Sequence, residues 1–433
     1  MDSIARGKPQ RIAVVGSGIS ALTSAHLLSR AGHSIHLFEK ESRIGGHTHT
    51  HLIQTPSGTH SVDTGFIVFN DWTYPNFIKL MDSLGVKSQD SDMSFSVKVE
   101  KNALEYNGTS LNSLFAQRSN LFRPSFYKMI RDILRFNREA PSLLEPGHPD
   151  QGLTLDAFLT KHRYAPEFRN HYLIPMGAAI WSASKAQMAS MPIEFFVRFF
   201  KNHGMLSVDG RPVWRVLQGG SSSYLAPLCE PFRAGIRIDS EVLSIGRTPD
   251  SCVVRYRTGS DSSPTIESES FDHAILACHS NQALKLLSDP SESERSILGS
   301  IRYQPNSAIL HTDVSVLPRR KLAWAAWNYF LPRDGSGPVA VTYNMNILQS
   351  IRSSETFCVS LNLDGHIDPS KVLRRMNYEH PVFDPAATRA QARWSEISGV
   401  HRTHFAGAYW GFGFHEDGVK SGIRVAAQFG VKF

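Results

Sequence analysis

Arg11-Ile-Ala-Val-Val15-Gly16-Ser17-Gly18-Ile19-Ser20-Ala21 is the stretch that sets the fold. The apolar run up to Val15 predicts a short strand covered on both faces, as in a parallel sheet. Gly16-x-Gly18-x-x-Ala21 then turns the chain into a helix, where Ile19, Ala21, Leu22, Ala25, Leu27 and Leu28 place small or apolar groups on most sides until Gly32 ends it. Residues 33–39 read as a second strand with Glu39 at its carboxyl end. Strand, glycine turn, helix and strand form a βαβ unit, the context in which this glycine pattern binds a dinucleotide. Gly16 permits the tight turn, Gly18 lets the backbone approach a pyrophosphate, and Ala21 allows close packing of helix on strand. The free amides at the helix start, around Ile19 and Ser20, face the phosphates. Glu39 stands 23 residues after Gly16, near the offset at which an acid accepts the ribose hydroxyls of NAD or FAD and repels a 2′-phosphate.

The continuation Lys40-Glu-Ser-Arg43-Ile-Gly45-Gly46-His47-Thr48 separates FAD from NAD. It resembles the extended R-x-G-G fingerprint of the flavin-containing amine oxidase, protoporphyrinogen oxidase and phytoene desaturase superfamily. The resemblance implies that Arg43 steadies the pyrophosphate and that Gly45 and Gly46 let the chain pass close to FAD, with Lys40, His47 and Thr48 beside them. A fixed guanidinium suits a dianion, and residues without Cβ suit close approach. Val62-Asp-Thr-Gly65-Phe66-Ile67 resembles the next flavin-side loop of this superfamily. Val242 matches a valine that touches the adenine, and His273-Ala-Ile-Leu-Ala277-Cys278 is similar to the strand that returns to the dinucleotide. Phe405-Ala-Gly407-Ala408 and Gly413-Phe414-His415-Glu416-Asp417-Gly418 resemble the segment whose helix N-terminus faces the flavin pyrimidine, where donors stabilise negative charge on the reduced ring. The closest overall likeness is to the bacterial "predicted NAD/FAD-binding protein" branch, carried by residues 63–70, 175–182 and 409–417. That branch implies acyl-chain chemistry and functional pairing with a fatty-acid methyltransferase.

Length and composition frame the same reading. A chain of 433 residues predicts two or three domains, with room for a large core. Apolar residues at 41% and charged residues at 20% exclude disorder and low-complexity scaffolds. Lys+Arg 46 against Asp+Glu 39 leaves +7, an excess that suits an anionic cofactor, an acidic substrate or an anionic membrane surface and is too weak to argue nucleic acid. Cys229, Cys252, Cys278 and Cys358 form no C-x-x-C, so neither a zinc framework nor a dithiol is expected, and the plain reading is a reducing, cytoplasmic compartment. No run of residues is long and apolar enough to span a bilayer, so contact with an inner membrane would be peripheral.

The expected fold class is α/β: a discontinuous Rossmann-like FAD-binding domain from residues 1–70, 213–290 and 396–433, with a mixed α+β substrate domain from residues 71–212 and 291–395. Residues 71–212 read as helical and rich in Phe, Met and Tyr, notably 124–140 and 192–203. The helix over 192–203 is apolar on more than one face, so it is buried or faces lipid. Polar residues 258–270 read as a hairpin tip or loop. Gly335-Ser-Gly-Pro338 lacks a helix pattern, so no second nucleotide site for NAD(P)H is expected.

Phe195, Phe196, Phe199 and Phe200, with Met176, Met188 and Met191 and with Trp181, suit the lining of an alkyl tunnel, since each buried methylene is favoured by about 0.8 kcal/mol; ordinary core packing is the competing reading. Arg198, Lys201 and Arg215 suit a carboxylate or phospholipid head group, or simply solvated surface. His47, His49 and His51 alternate and share one face in extended chain. Without acids or cysteines at ligand spacing no metal is expected, and His47 and His49 are instead candidate proton donors beside the flavin or polar loop residues. Tyr409, Trp410 and Phe414 match the aromatic pair that flanks the flavin in amine oxidases, with Phe414 in place of the usual tyrosine, which favours hydrocarbon over amine. His415 is the preferred catalytic candidate, while Glu416 and Asp417 suit helix capping.

Three functions compete. The first is an FAD-dependent desaturase or double-bond isomerase that takes hydride from a long-chain fatty acyl group at an allylic carbon. The second is a flavin amine oxidase yielding imine and hydrogen peroxide. The third is a flavin-bearing, non-catalytic partner of a lipid methyltransferase.

Overall fold

The structure, a computed structural model, describes residues 8–207, 210–259, 264–333 and 340–433. Arg11–Val15 is a strand, Ile19–Arg30 a helix and Ser34–Phe38 the next strand, so the predicted βαβ unit is present. The two strands pair in parallel at the centre of a five-stranded sheet. Its spatial order is Ile236–Arg237, Ser34–Phe38, Arg11–Val15, His273–Leu276, Thr403–Phe405, all parallel, drawn from the start, middle and end of the chain.

Side-chain alternation along the first strand explains its two-sided cover. Ile12 and Val14 join one core with Leu22, Ala25, Val419 and Val425, the layer of the first helix and the last helix, His415–Gln428. Ala13 and Val15 face the other way, against Val254, Tyr256 and Phe271 of an antiparallel sheet formed by Glu241–Arg247, Cys252–Thr258 and Thr265–Phe271. The predicted loop over 258–270 is therefore mostly strand. Its charges are held rather than solvated: Glu269 accepts hydrogen bonds from Arg11, Arg237 and the Tyr256 hydroxyl. Residues 260–263 of that expected loop, and the Gly335-to-Pro338 segment, lie outside the described residues.

A second, seven-stranded sheet runs Val372–Val382, Arg302–His311, Cys358–Leu361, Ala340–Asn344, Trp327–Leu331, Phe95–Val99, Leu104–Asn107. It is antiparallel except where Trp327–Leu331 lies parallel to Phe95–Val99. That contact joins the two chain segments assigned to the substrate domain, and it makes the first of them less purely helical than its composition implies. Trp214–Leu217 pairs with Phe69–Asn70 and Ser88–Asp90, so a small sheet straddles the expected domain boundary.

Helices cover the second sheet. Pro124–Glu139 turns Phe126, Met129 and Phe136 inward. Ile193–Asn202 is the helix read as buried or lipid-facing, and it is buried: Phe196 and Phe200 are 0% and 1% exposed. Among the described residues no helix is long and apolar enough to cross a membrane.

Candidate active site

The carboxyl edge of the five-stranded sheet carries the glycine turn. Gly16 has φ +96, and a Cβ there would sit 3.1 Å from the Ala277 carbonyl oxygen, so a side chain would strain the turn and push the neighbouring strand away. At Gly18 a Cβ would meet nothing within 4 Å, which leaves open space before the amides of Ile19, Ser20 and Ala21. Glu39 follows the second strand and is buried. Its carboxylate accepts hydrogen bonds from the Ser17 hydroxyl (2.5 Å) and the Glu41 amide (2.9 Å), which orient it while leaving lone pairs for further donors. Ser240 donates its amide to the Glu39 carbonyl, bringing Val242 of the antiparallel sheet to the same end of the fold. Lys40 lies at the surface beside Glu41.

The Gly45-Gly46 loop folds back over this turn. A Cβ on Gly46 would approach Gly18 Cα to 3.1 Å. Arg43 donates to the carbonyls of Gly46 and Thr48 and ion-pairs with no carboxylate among the described residues, so it props the loop and keeps its charge un-neutralised. A Cβ on Gly65 would collide with the His47 carbonyl, which is why the loop after Asp63 can press against this one. Asp63 pins that loop by accepting from the Thr50 hydroxyl, the Ser221 amide and hydroxyl, and the Gln349 side chain; burial pushes its carboxyl up to about 6.

The carboxy-terminal segment closes the site. Gly418 and Gly422 lie against Ile19 and Ser20, where any Cβ would clash, so the first and last helices pack at backbone contact. His415, the first residue of the last helix, stacks on Phe66 at 3.5 Å and contacts Thr48 Oγ1 at 3.0 Å and the Tyr224 hydroxyl at 3.3 Å. Burial pushes it down to about 3, so it is neutral at physiological pH. Glu416 turns away to accept from Asn76 and Phe77 at the start of another helix, and Asp417 accepts from the Phe414 amide. Both acids are structural caps here. The Tyr409 ring lies over Gly407 and beside Trp410.

His47 meets residues from the other sheet. Its ring stacks on Tyr378 at 5.0 Å, with His380 at 5.4 Å and His279 at 6.3 Å. Burial holds His47 well below its ordinary value and His380 at about 4. His47 Nε2 is buried without a hydrogen-bond partner. The tautomer of His380 is set by a chain of amides: Ser307 N–H donates to Asn362, the Asn362 amide to Asn306, and the Asn306 amide to His380 Nδ1. Nδ1 is thereby an acceptor and Nε2 carries the proton. The expected shared face holds only for His49 and His51, whose rings lie 3.9 Å apart away from this cluster, because the strand begins at Thr50 and His47 precedes it in the loop; burial brings His49 to about 4. Among the described residues no group of His, Cys, Asp and Glu is arranged to hold a metal ion.

Residues named for substrate separate into two sets. Trp181, Phe195 and Phe199 are buried and satisfied by one another and by Phe383, Phe412 and His203. This is core packing and not an open tunnel wall, because the helix Ile193–Asn202 has apolar partners on each of its apolar faces. Phe414, half-buried, stacks on Phe199 at 5.1 Å and remains at the border of the site. Sequence reasoning missed Asp63, Tyr224, His279, Tyr378 and His380. Of these, Asp63 stands inside the quoted flavin-side loop and His279 follows the predicted returning strand, so both had a local signal; Tyr378 and His380 sit on a distant strand of unremarkable spelling.

Comparison with known proteins agrees with this geometry. Residues 19–357 match the family model described as flavin containing amine oxidoreductase. A 43-residue stretch is 46% identical to an L-amino-acid oxidase of Mus musculus, and a 37-residue stretch is 57% identical to the glutamate synthase [NADPH] small chain of Mycobacterium tuberculosis. These stretches cover 10% and 8% of this chain, and only 7% and 8% of the length of those relatives. Over the whole chain the fold is similar to cyclohexylamine oxidase from Brevibacterium oxydans, with TM-score 0.67, 15% identity, and 98% of this chain and 99% of that one covered. It is equally similar to a CLA-producing fatty acid isomerase from P. acnes, with TM-score 0.67, 13% identity and 97% and 98% covered.

Proposed function

From its membership of the flavin-containing amine oxidoreductase family, to which this chain belongs, we propose that it oxidises or isomerises a neutral, hydrophobic substrate, in first place the unsaturated chain of a fatty acyl group. The chain is an FAD-dependent oxidoreductase, and its residues fit the cofactor. Gly16 and Gly18 form a cradle that a Cβ would strain or fill, Glu39 retains acceptor capacity, Arg43 retains its charge, and His47 Nε2 is a buried polar atom awaiting a partner. When bound, FAD supplies the acceptor for a hydride equivalent.

The protein's own contribution is a dry, uncharged surround. His47, His380 and His415 are neutral at pH 7, and Phe66 and Phe414 add apolar surface. The observation that carries the proposal is that the buried carboxylates Asp63, Glu416 and Asp417 are already engaged, Asp63 by four donors and the other two as caps. None of these three is left to hold an ammonium ion, whereas an alkene needs no such partner. His47 Nε2 and the Nε2–H of His380 are the groups placed to move a proton or to donate to a carbonyl.

The test is aerobic incubation of the flavin-loaded protein with unsaturated fatty acids and, separately, with primary amines. The expected result is a shifted or added double bond seen by gas chromatography with mass detection. Hydrogen peroxide from amines with unchanged lipid would replace this reading by amine oxidation.

A further inference from the structure

The helix Pro124–Glu139 has two unlike faces. Inward it buries Phe126, Met129 and Phe136; outward, at helical spacing, stand Tyr127, Lys128, Arg131, Leu134 and Arg138. Tyr127 is 47% and Leu134 55% exposed. The turn that leads into it, Arg118–Phe122, ends in Leu121 and in Phe122, the latter 85% exposed, and Leu111 just before is 78% exposed. Leu121, Phe122, Pro124, Tyr127, Lys128 and Arg131 line one shallow groove.

The charges on this face are of one sign. The outward stripe contains no carboxylate, and Lys128 has no ion-pair partner among the described residues. The adjacent acids compensate only part of this charge: Asp132 is buried, accepts from the Ala165 amide and lies 3.5 Å from Arg131, and Glu139 pairs with both Arg135 and Arg138, while Lys128 is met by neither. Apolar tips at this exposure are unfavourable in water and uncommon as a contiguous group on a soluble monomer. Projecting aromatic and aliphatic tips among exposed cations, with no exposed carboxylate in the stripe, are complementary to an anionic lipid surface, where the tips enter the acyl boundary and the cations meet phosphates.

We infer that the face formed by residues 111–138 is a peripheral docking surface for anionic bilayers, with Phe122, Tyr127 and Leu134 inserted and Lys128 and Arg131 on lipid phosphates. This is a different place from the Phe-rich helix Ile193–Asn202, whose rings are buried. The inference stands on the surface alone and does not require any particular substrate.

Co-sedimentation of the flavin-loaded protein with vesicles tests it, comparing pure phosphatidylcholine with three parts phosphatidylcholine to one part phosphatidylglycerol. Binding is expected to the mixed vesicles, to weaken in high salt, and to be slight on pure phosphatidylcholine. Lys128→Ala and Arg131→Ala should each weaken binding about fivefold, and Phe122→Asp at least about tenfold. All three sites are at the surface, so flavin absorbance and thermal midpoint should remain those of the parent protein. Absence of vesicle binding, equal binding to both compositions, or parent-like binding by all three variants overturns the inference. So does light scattering that shows a dimer broken by Phe122→Asp, which would make the face a contact between copies of this chain.

Discussion

Glu39 shows how a single carboxylate can be both buttress and ligand. Ser17 and the Glu41 amide hold it at the end of the second strand, and the lone pairs they leave are those a ribose would use. Hydrogen bonds to charged groups contribute about 1.5 to 3 kcal/mol, so Glu39→Ala should weaken FAD retention by roughly 10- to 100-fold. Titration of the apoprotein, followed by flavin fluorescence, measures this, with the thermal midpoint of the apoprotein as control for folding. Unchanged affinity would remove Glu39 from the ribose site. His415 and His47, both quoted from sequence as catalytic candidates, differ in their surroundings. His415 is held by Thr48 and Tyr224 under Phe66, whereas His47 keeps an unpartnered nitrogen among His279, Tyr378 and His380.

At the scale of elements, the decisive contact is between the first and last helices. Gly422 would place a Cβ 2.7 Å from the Ser20 carbonyl oxygen and 2.8 Å from Thr23 Cβ. Gly422→Val therefore has to separate the two helices or bend one, an overpacking cost of about 1 to 3 kcal/mol or more. The expected outcome is a lower denaturant midpoint together with reduced flavin content, because the same separation draws His415 away from Thr48. Full stability with full flavin would show that the helices can part without harm. The strand Thr265–Phe271 teaches a related lesson. Its Glu and Ser residues read as loop by composition, yet Arg11 and Arg237 on neighbouring elements supply the partners that make it strand. Local polarity misled because the compensating charges are far away in sequence.

Over the whole molecule, burial sets the response to pH. His203, His311 and His404 are each pushed down to about 4 and His415 to about 3, from an ordinary value of 6.5, by desolvation. With folded values below unfolded ones, these groups contribute stability that is complete above about pH 6.5 and lost as pH falls through about 4. Asp313, held at about 2 by amide and hydroxyl donors despite its burial, adds to the loss at still lower pH. Asp63 and Asp417, raised to about 6 by burial, act in the opposite sense: their contribution is present below about pH 4 and lost as pH rises through about 6. The histidines outnumber them, so the thermal midpoint should fall between about pH 7 and pH 4.5. A midpoint that rises on acidification would show that the histidines are solvated.

The βαβ unit, the last helix and the residues of the cofactor turn were legible in sequence because their determinants are local: a strand-length apolar run, glycines where a Cβ is excluded, and an acid at the next strand end. What only the tertiary structure decided is the company these residues keep. It set Tyr378 and His380 of the second sheet against His47, drew Asp63 to Ser221 and Gln349, and turned the phenylalanines of Ile193–Asn202 into core while leaving Phe122 in solvent. Such pairings join residues hundreds of positions apart, and no short-range pattern encodes which of two similar apolar helices will find a partner; packing of the complete chain does.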